Sequence, residues 1–320
     1  METGSGAPLT SLRIVALALL LAAPAAAQTS VQQLRGAKPG PLGIAAGPTT
    51  GVYFTVGRAL CELLAPAPCA SRVTAGSVAN VELLRAGDAA YAIVQTDVAE
   101  TALKGLGRFG LAGPFGTLRS VAALHAEVFT VAVRGADPAR TLADLKGRKL
   151  GFGAIGSGDR PSGERILALA GWTPGDVAVA RGLTRSIAAK ALCGGEVDAL
   201  FTIIGHPNDF GFELAQACRT RFVPLAPEDV RRAADGDPTF GPASIPAGAY
   251  PTLRADVPSV GLRALLLTTA SRPDAEVALL VARLRAGLPR LAAAHPALAR
   301  LAVADLTPPA EAPPLHAGAR

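Results

Sequence analysis

Leu42-Gly43-Ile44-Ala45-Ala46-Gly47-Pro48-Thr49-Thr50-Gly51-Val52-Tyr53 passes from small apolar residues through a turn-forming run into helical periodicity. Residues 42–46 predict a short buried strand and residues 47–51 a loop. Behind them Val52, Val56, Leu60, Leu63 and Leu64 share one helical face. A strand, a glycine-rich loop and a helix make the opening unit of a parallel sheet with helical crossovers. Two threonine hydroxyls and open backbone N–H groups at a helix start also suit a carboxylate or other anion. A plain capped turn is the alternative.

The same alternation continues outward. Residues 71–75 predict a strand, Ser77 caps a helix to Leu84, residues 91–94 form a strand, and Asp97 caps the next helix. The pattern restarts with a strand over 129–133, a helical turn from Thr141 and a strand over 149–152. A helix capped by Ser162 runs to Ala170, residues 177–180 form a strand, and a helix runs from Ser186 to about Gly194. Residues 198–204 give a strand ending in Gly205-His206-Pro207-Asn208; a strand over 263–268 and helices over 274–288 and 296–303 close the chain. The expectation is an α/β protein with two units of unequal content.

Composition narrows the function. The chain has 320 residues, half of them hydrophobic and 18% charged, which suits about two folded domains. Residues 14–23 are its one long uninterrupted apolar run. That is half of the ~20 residues a spanning helix needs. With Arg13 before it and Pro24-Ala25-Ala26-Ala27 after it, the run predicts a signal peptide over 1–27, cleaved near Ala27. The mature chain is expected free in an oxidising compartment. The net charge of +6 is scattered, aromatics are 4%, and no basic cluster suggests nucleic acid. Four cysteines fall as neighbouring pairs, Cys61 with Cys69 and Cys193 with Cys218, without zinc spacing. In an exported chain they read as two local disulfides, each joining a helix to the following strand.

Gly151-Phe152-Gly153-Ala154-Ile155-Gly156 spells GxGxxG after a strand, with Asp176 twenty residues on. That is a dinucleotide fingerprint. The same loop could instead hold a smaller anion through Ser157, Ser162 and Arg160. His206 follows a strand end, where α/β proteins bind ligands; a structural hydrogen bond is its plainer role. No GxSxG elbow or HExxH motif occurs. Capping explains Asp97 more simply than general-base work does.

Gly47-x-Thr49-Thr50-Gly51-Val52-Tyr53, then Cys61, resembles the opening of TAXI-type solute-binding proteins of TRAP transporters. Ala75-Gly76-Ser77-Val78-Ala79-Asn80, Ile93-Val94-Gln95-Thr96-Asp97 and Leu142-Ala143-Asp144-Leu145-Lys146-Gly147 extend the resemblance. So do Gly156-Ser157-Gly158 with Arg160, Gly205-His206-Pro207-Asn208, Ile245-Pro246-Ala247-Gly248-Ala249-Tyr250 and Pro314-Leu315-His316-Ala317-Gly318. Pro48 and Ala75 stand where the family more often has a small residue or glycine.

The resemblance implies a two-lobed periplasmic-binding-protein fold, type II-like, with a hinge and an interlobe cleft. Residues 28–134 and 247–320 would form one lobe and 135–246 the other. It implies capture of a small anionic or zwitterionic solute, such as glutamate, glutamine or 2-oxoglutarate, for delivery to TRAP membrane subunits, with no cofactor and no catalysis. Thr49, Thr50, Tyr53, Ser77 and Asn80 would hold the solute from one lobe. Ser157, Arg160 (for a carboxylate), Ser162, His206 or Asn208 would close from the other, with Gln95 and Glu127 as further candidates. A periplasmic sensor or scaffold for a membrane partner is the alternative, and an exported enzyme a more distant one.

Overall fold

The computed structural model describes Met1 and residues 42–320, so the signal peptide expected over 1–27 lies outside the described residues apart from Met1. One mixed sheet runs through the rest. Its first half is parallel: β1 (Leu42–Ala45), β2 (Cys69–Arg72) and β3 (Tyr91–Gln95), in the order β2-β1-β3. Two long strands, β4 (Leu118–Val133) and β10 (Val257–Thr269), then run antiparallel to one another and carry the sheet onward. The second half holds β7 (Ala199–Ile204), β5 (Arg148–Gly153) and β6 (Val177–Leu183), while β8 (Arg221–Phe222) and β9 (Gly241–Ile245) pair at the sides.

Helices cover both faces. α1 (Val52–Leu63), α2 (Ser77–Ala86) and α3 (Thr96–Lys104) each leave the C-terminal end of a first-half strand. α4 (Asp159–Leu169), α5 (Arg185–Cys193) and α6 (Asp209–Ala217) do the same after β5, β6 and β7. α7 (Pro227–Gly236), α8 (Asp274–Ala286) and α9 (Leu288–Ala294) complete the layers. On the first half, α1 buries Val52, Val56 and Leu60 against Ile44, Ile93 and Leu266. Each such side chain removed from water contributes about 1.5–3 kcal/mol. Phe129, Phe152 and Phe201 pack edge-to-face in the second half. Among the described residues no helix is long and apolar enough to cross a membrane.

Several boundaries differ from the sequence expectations for physical reasons. Strand β4 is sixteen residues long rather than five, because its N-terminal part is buried against β10 on both faces and lacks the alternation that marks a half-exposed strand. Ser77, Asp97 and Ser162 are not the caps. Their helices are capped at Gly76, Gln95 and Gly158, and the hydroxyl and carboxyl residues stand inside the first turn or beyond it; the helix expected from Ser186 begins one residue earlier, at Arg185. Both disulfides form. Cys61–Cys69 joins α1 to β2, but Cys193–Cys218 links the C-terminal ends of α5 and α6, two helices rather than a helix and a strand.

The GxGxxG run is a packing device. A Cβ on Gly151 would lie 2.7 Å from Leu200 and 2.9 Å from Leu183, and one on Gly153 would strike Asp159 and Ser157. Asp176 precedes β6 and binds Thr173 and Lys146, at the opposite end of the strand pair from the glycine loop. Six residues of extended strand separate them by about 20 Å. A dinucleotide would need both at one edge of the sheet.

Candidate functional site

A cavity of about 400 Å³ opens between the two halves of the sheet, in the size range of small-molecule sites. Strand ends on both sides supply its walls. After β1, Gly51 N–H donates to Pro48 O (2.8 Å) and α1 begins with no side-chain cap. Gly51, Val52 and Tyr53 line the cavity, with Thr49 and Thr50 at its exposed lip. After β2, residues 73–77 enter α2 through Gly76, whose φ of +127° is a conformation side chains rarely adopt. Across the gap, Gly153, Ser157 and Asp159 lead into α4, and Thr184, Arg185 and Ser186 into α5. Four helix N-termini without side-chain caps therefore converge on one space. Their dipoles and first-turn N–H groups favour negative charge.

Two unpartnered groups point the same way. Gln95 Oε1 and Ser157 Oγ are buried and make no hydrogen bond within the described residues, and both residues line the cavity. Leaving such atoms dry and unpaired costs about 1–3 kcal/mol each. A solute that supplies partners recovers that cost. Gly158 lets the walls approach: a Cβ there would run into the Gln95 amide. The walls also touch directly, Ala79 N–H donating to Gly156 O at 3.0 Å. Arg165 on α4 spans Glu100 of α3 (3.1 Å) and Asp237.

The floor is ionisable. Glu127 lies on β4 opposite Leu262, where the sheet passes from one half to the other. Tyr53 Oη donates to Glu127 Oε2 at 2.8 Å, and Glu127 Oε1 is 3.8 Å from His125 Nε2, beyond hydrogen-bond reach. Burial raises the Glu127 pKa to about 8, with Asp159 adding to the rise and the Tyr53 hydroxyl opposing it. Burial also pushes the Tyr53 phenol well up and lowers His125 to about 3, so both are neutral at pH 7. Asp159 accepts from Ile203 N–H (2.9 Å) and stands 3.7 Å from Arg185, whose guanidinium lies 5.1 Å over Phe210.

Seven of the residues expected to hold a solute, Thr49, Thr50, Tyr53, Ser77, Gln95, Glu127 and Ser157, line this cavity. Five do not. Asn80 spends its amide on Ala46 O and Ile93 O and accepts from Thr74 Oγ1 (2.6 Å), fastening β1 to β3 beneath the site. Arg160 pairs with Glu164 (2.8 Å) and lines a second cavity beside Asp97 and Arg108. Because α4 starts at Asp159, that residue faces the gap and Arg160 is turned about 100° away. Ser162 is fully buried within α4, where with Arg165 it draws down the Asp97 carboxyl; burial nonetheless raises that group to about 6.

His206 is a core residue. Thr130 Oγ1 donates to Val128 O and so accepts from His206 Nε2 (2.8 Å), which leaves Nδ1 to accept from Tyr250 Oη (2.6 Å). Burial lowers its pKa to about 3. Asn208 caps α6, accepting from Gly211 N–H (2.8 Å) and donating to Gly205 O (2.6 Å). Sequence reasoning missed Asp159, Arg185 and Glu213 among the lining residues. Leu183-Thr184-Arg185-Ser186 carried a signal, since a strand residue followed by threonine is itself a cap pattern.

Residues 44–320 match the NMT1-like family. Three solved structures share the architecture. The periplasmic binding protein BugD is 14% identical, with a TM-score of 0.53 over 82% of this chain and 88% of that one. A protein from Bordetella bronchiseptica RB50 is 17% identical, with a TM-score of 0.52 over 86% of both chains. A structure described as a periplasmic transporter is 17% identical, with a TM-score of 0.51 over 87% and 91%.

Proposed function

Because this chain belongs to the NMT1-like family, we propose that it is an exported solute-binding protein that captures a small carboxylate or amino acid in the cleft between two lobes. On this reading residues 42–134 with 247–320 form one lobe and 135–246 the other, with β4 and β10 as the connecting strands; residues 28–41, expected in the first lobe, lie outside the described residues. The observation that carries the proposal is the convergence of four uncapped helix N-termini and Arg185 on one cavity of about 400 Å³. The likeness to BugD, a periplasmic binding protein, supports the same reading.

The finer assignment follows the resemblance to TAXI proteins: a solute like glutamate, glutamine or 2-oxoglutarate, handed to TRAP membrane subunits. Thr49, Thr50, Tyr53, Ser77, Gln95 and Ser157 would contact it, and Arg185 takes the place first given to Arg160 as the charged partner of a carboxylate. The protein's work is capture and release, without turnover.

A thermal-shift panel of amino acids, 2-oxo acids, dicarboxylates and sugars tests the proposal. A solute at about 100 times its dissociation constant adds about 2.7 kcal/mol, a shift of several degrees for a chain of this length. A shift confined to one or two small carboxylates is expected. A shift with sugars alone would overturn the carboxylate assignment, and no shift from folded, ligand-free protein would overturn capture.

A further inference from the structure

We propose that the solute carries a basic nitrogen and that Glu127 receives it, so that the cleft selects an α-amino acid over the corresponding 2-oxo acid or dicarboxylate. This rests on the capture reading above and sharpens its ligand class. The argument is the charge arrangement of the lining. Among the described residues that line the cavity, the carboxyl and guanidinium groups are those of Glu127, Asp159, Glu213 and Arg185. Arg185 is already matched by Asp159 at 3.7 Å. Glu127 has no such match. The groups facing it are the neutral Tyr53 of α1, the neutral His125 of its own strand, and the more distant Asp97, Asp159 and Arg185. A dianion such as 2-oxoglutarate would bring a second negative charge into a space where carboxylates outnumber cations. An amino acid places its carboxylate on the helix N-termini and its ammonium on the floor.

The chemistry balances as a proton exchange. Burial keeps the empty-site Glu127 carboxyl protonated up to about pH 8. An arriving ammonium stabilises the carboxylate, the carboxyl proton leaves to the buffer, and the charge pair replaces it. At pH 7 most of one proton is released per solute bound. The opposing arrangement, a neutral Glu127 donating a hydrogen bond to a second ligand carboxylate, releases none.

Isothermal titration of the purified chain at pH 7, in two buffers of different ionisation enthalpy, distinguishes them. The probes are L-glutamine, L-glutamate, 2-oxoglutarate and glutarate. The amino acids are expected to bind about 30-fold or more tighter than the two dicarboxylates, with proton release, and Glu127→Gln to abolish both the preference and the release. Dicarboxylates binding as tightly as the amino acids, or amino-acid binding without proton release, would overturn the inference while leaving capture intact. Binding of no probe would sink the carboxylate reading of the cleft and this inference with it. The wild-type comparison stands by itself if the variant fails to fold.

Discussion

Asn80→Ala separates a structural residue from a solute-binding one. The side chain is fully buried, with its amide donating to Ala46 O and to Ile93 O (2.7 Å) and its carbonyl accepting from Thr74 Oγ1 (2.6 Å). The first acceptor follows the last residue of β1 and the second lies in the middle of β3, and Thr74 in turn accepts from Gly76 N–H at 3.1 Å. Truncation strands two carbonyls and a hydroxyl beneath the sheet edge. Each buried group left without its partner costs about 1–3 kcal/mol, less where water enters, so a total of about 3–5 kcal/mol is expected. Urea unfolding followed by circular dichroism measures this as a lower midpoint at unchanged slope. Solute affinity, measured under conditions where the variant is folded, should change little, because Asn80 does not line the cavity. A variant within about 1 kcal/mol of wild type that loses more than tenfold in affinity would refute this reasoning.

Three further outcomes follow from the same geometry. The Glu127 pKa is raised on folding from 4.5 to about 8, so its stabilising contribution is full below the unfolded value and lost as pH rises through about 8. Between pH 5 and 9, ligand-free wild type should lose stability relative to Glu127→Gln, on the order of 4 kcal/mol by chemical denaturation. Arg160→Ala should leave solute binding unchanged and stability within about 0.5 kcal/mol, whereas Arg185→Ala should weaken binding in the same titration. Opening Cys193–Cys218, which spans 25 residues, should cost about 3.5 kcal/mol, against about 2.5 for the 8-residue Cys61–Cys69 loop. Paired serine variants compared by denaturation midpoint should keep that order.

The architecture was legible because buried parallel strands and their helices punctuate the sequence strongly. Residues 42–53 alone announce strand, loop and helix, and the cysteine pairs sit close enough in sequence to read as local bridges. The hidden parts are those where tertiary burial overrides local pattern. Strand β4 lost its N-terminal eleven residues to the eye because Val121, Ala122, Ala123 and Leu124 are buried on both faces of the sheet. Helices α6 and α7 went unread because Gly211 interrupts the first and the second is strongly charged, burying only Ala233. That glycine is needed: a Cβ on Gly211 would collide with the Tyr250 ring.

The site was harder to read than the fold because a helix turns its side chains by about 100° per residue, so a cap misplaced by four positions treats a helical turn as loop and mistakes which residues face the cavity. Taking Ser162 as the cap of α4 put Arg160 in the loop and pointed it at the solute. The helix starts at Asp159, and the same arginine lies on the far side with Glu164. The cation returns from the next unit, as Arg185 at the first position of α5. Polar residue type misled in a second way. Asn80, Ser162, His206 and Asn208 are polar residues near strand ends, which is also where a sheet most needs internal donors, since each strand stops and leaves backbone carbonyls without a ladder partner. Asn80 and Asn208 serve that need directly, at Ala46 just past β1 and at Gly205 just past β7. What separates Asn80, His206 and Asn208 from Gln95 and Ser157 is whether the group's hydrogen-bonding capacity is already spent; Ser162 Oγ is unpartnered too, but it is buried within α4 and does not line the cavity. Gln95 Oε1 and Ser157 Oγ are unspent, and they face the cavity.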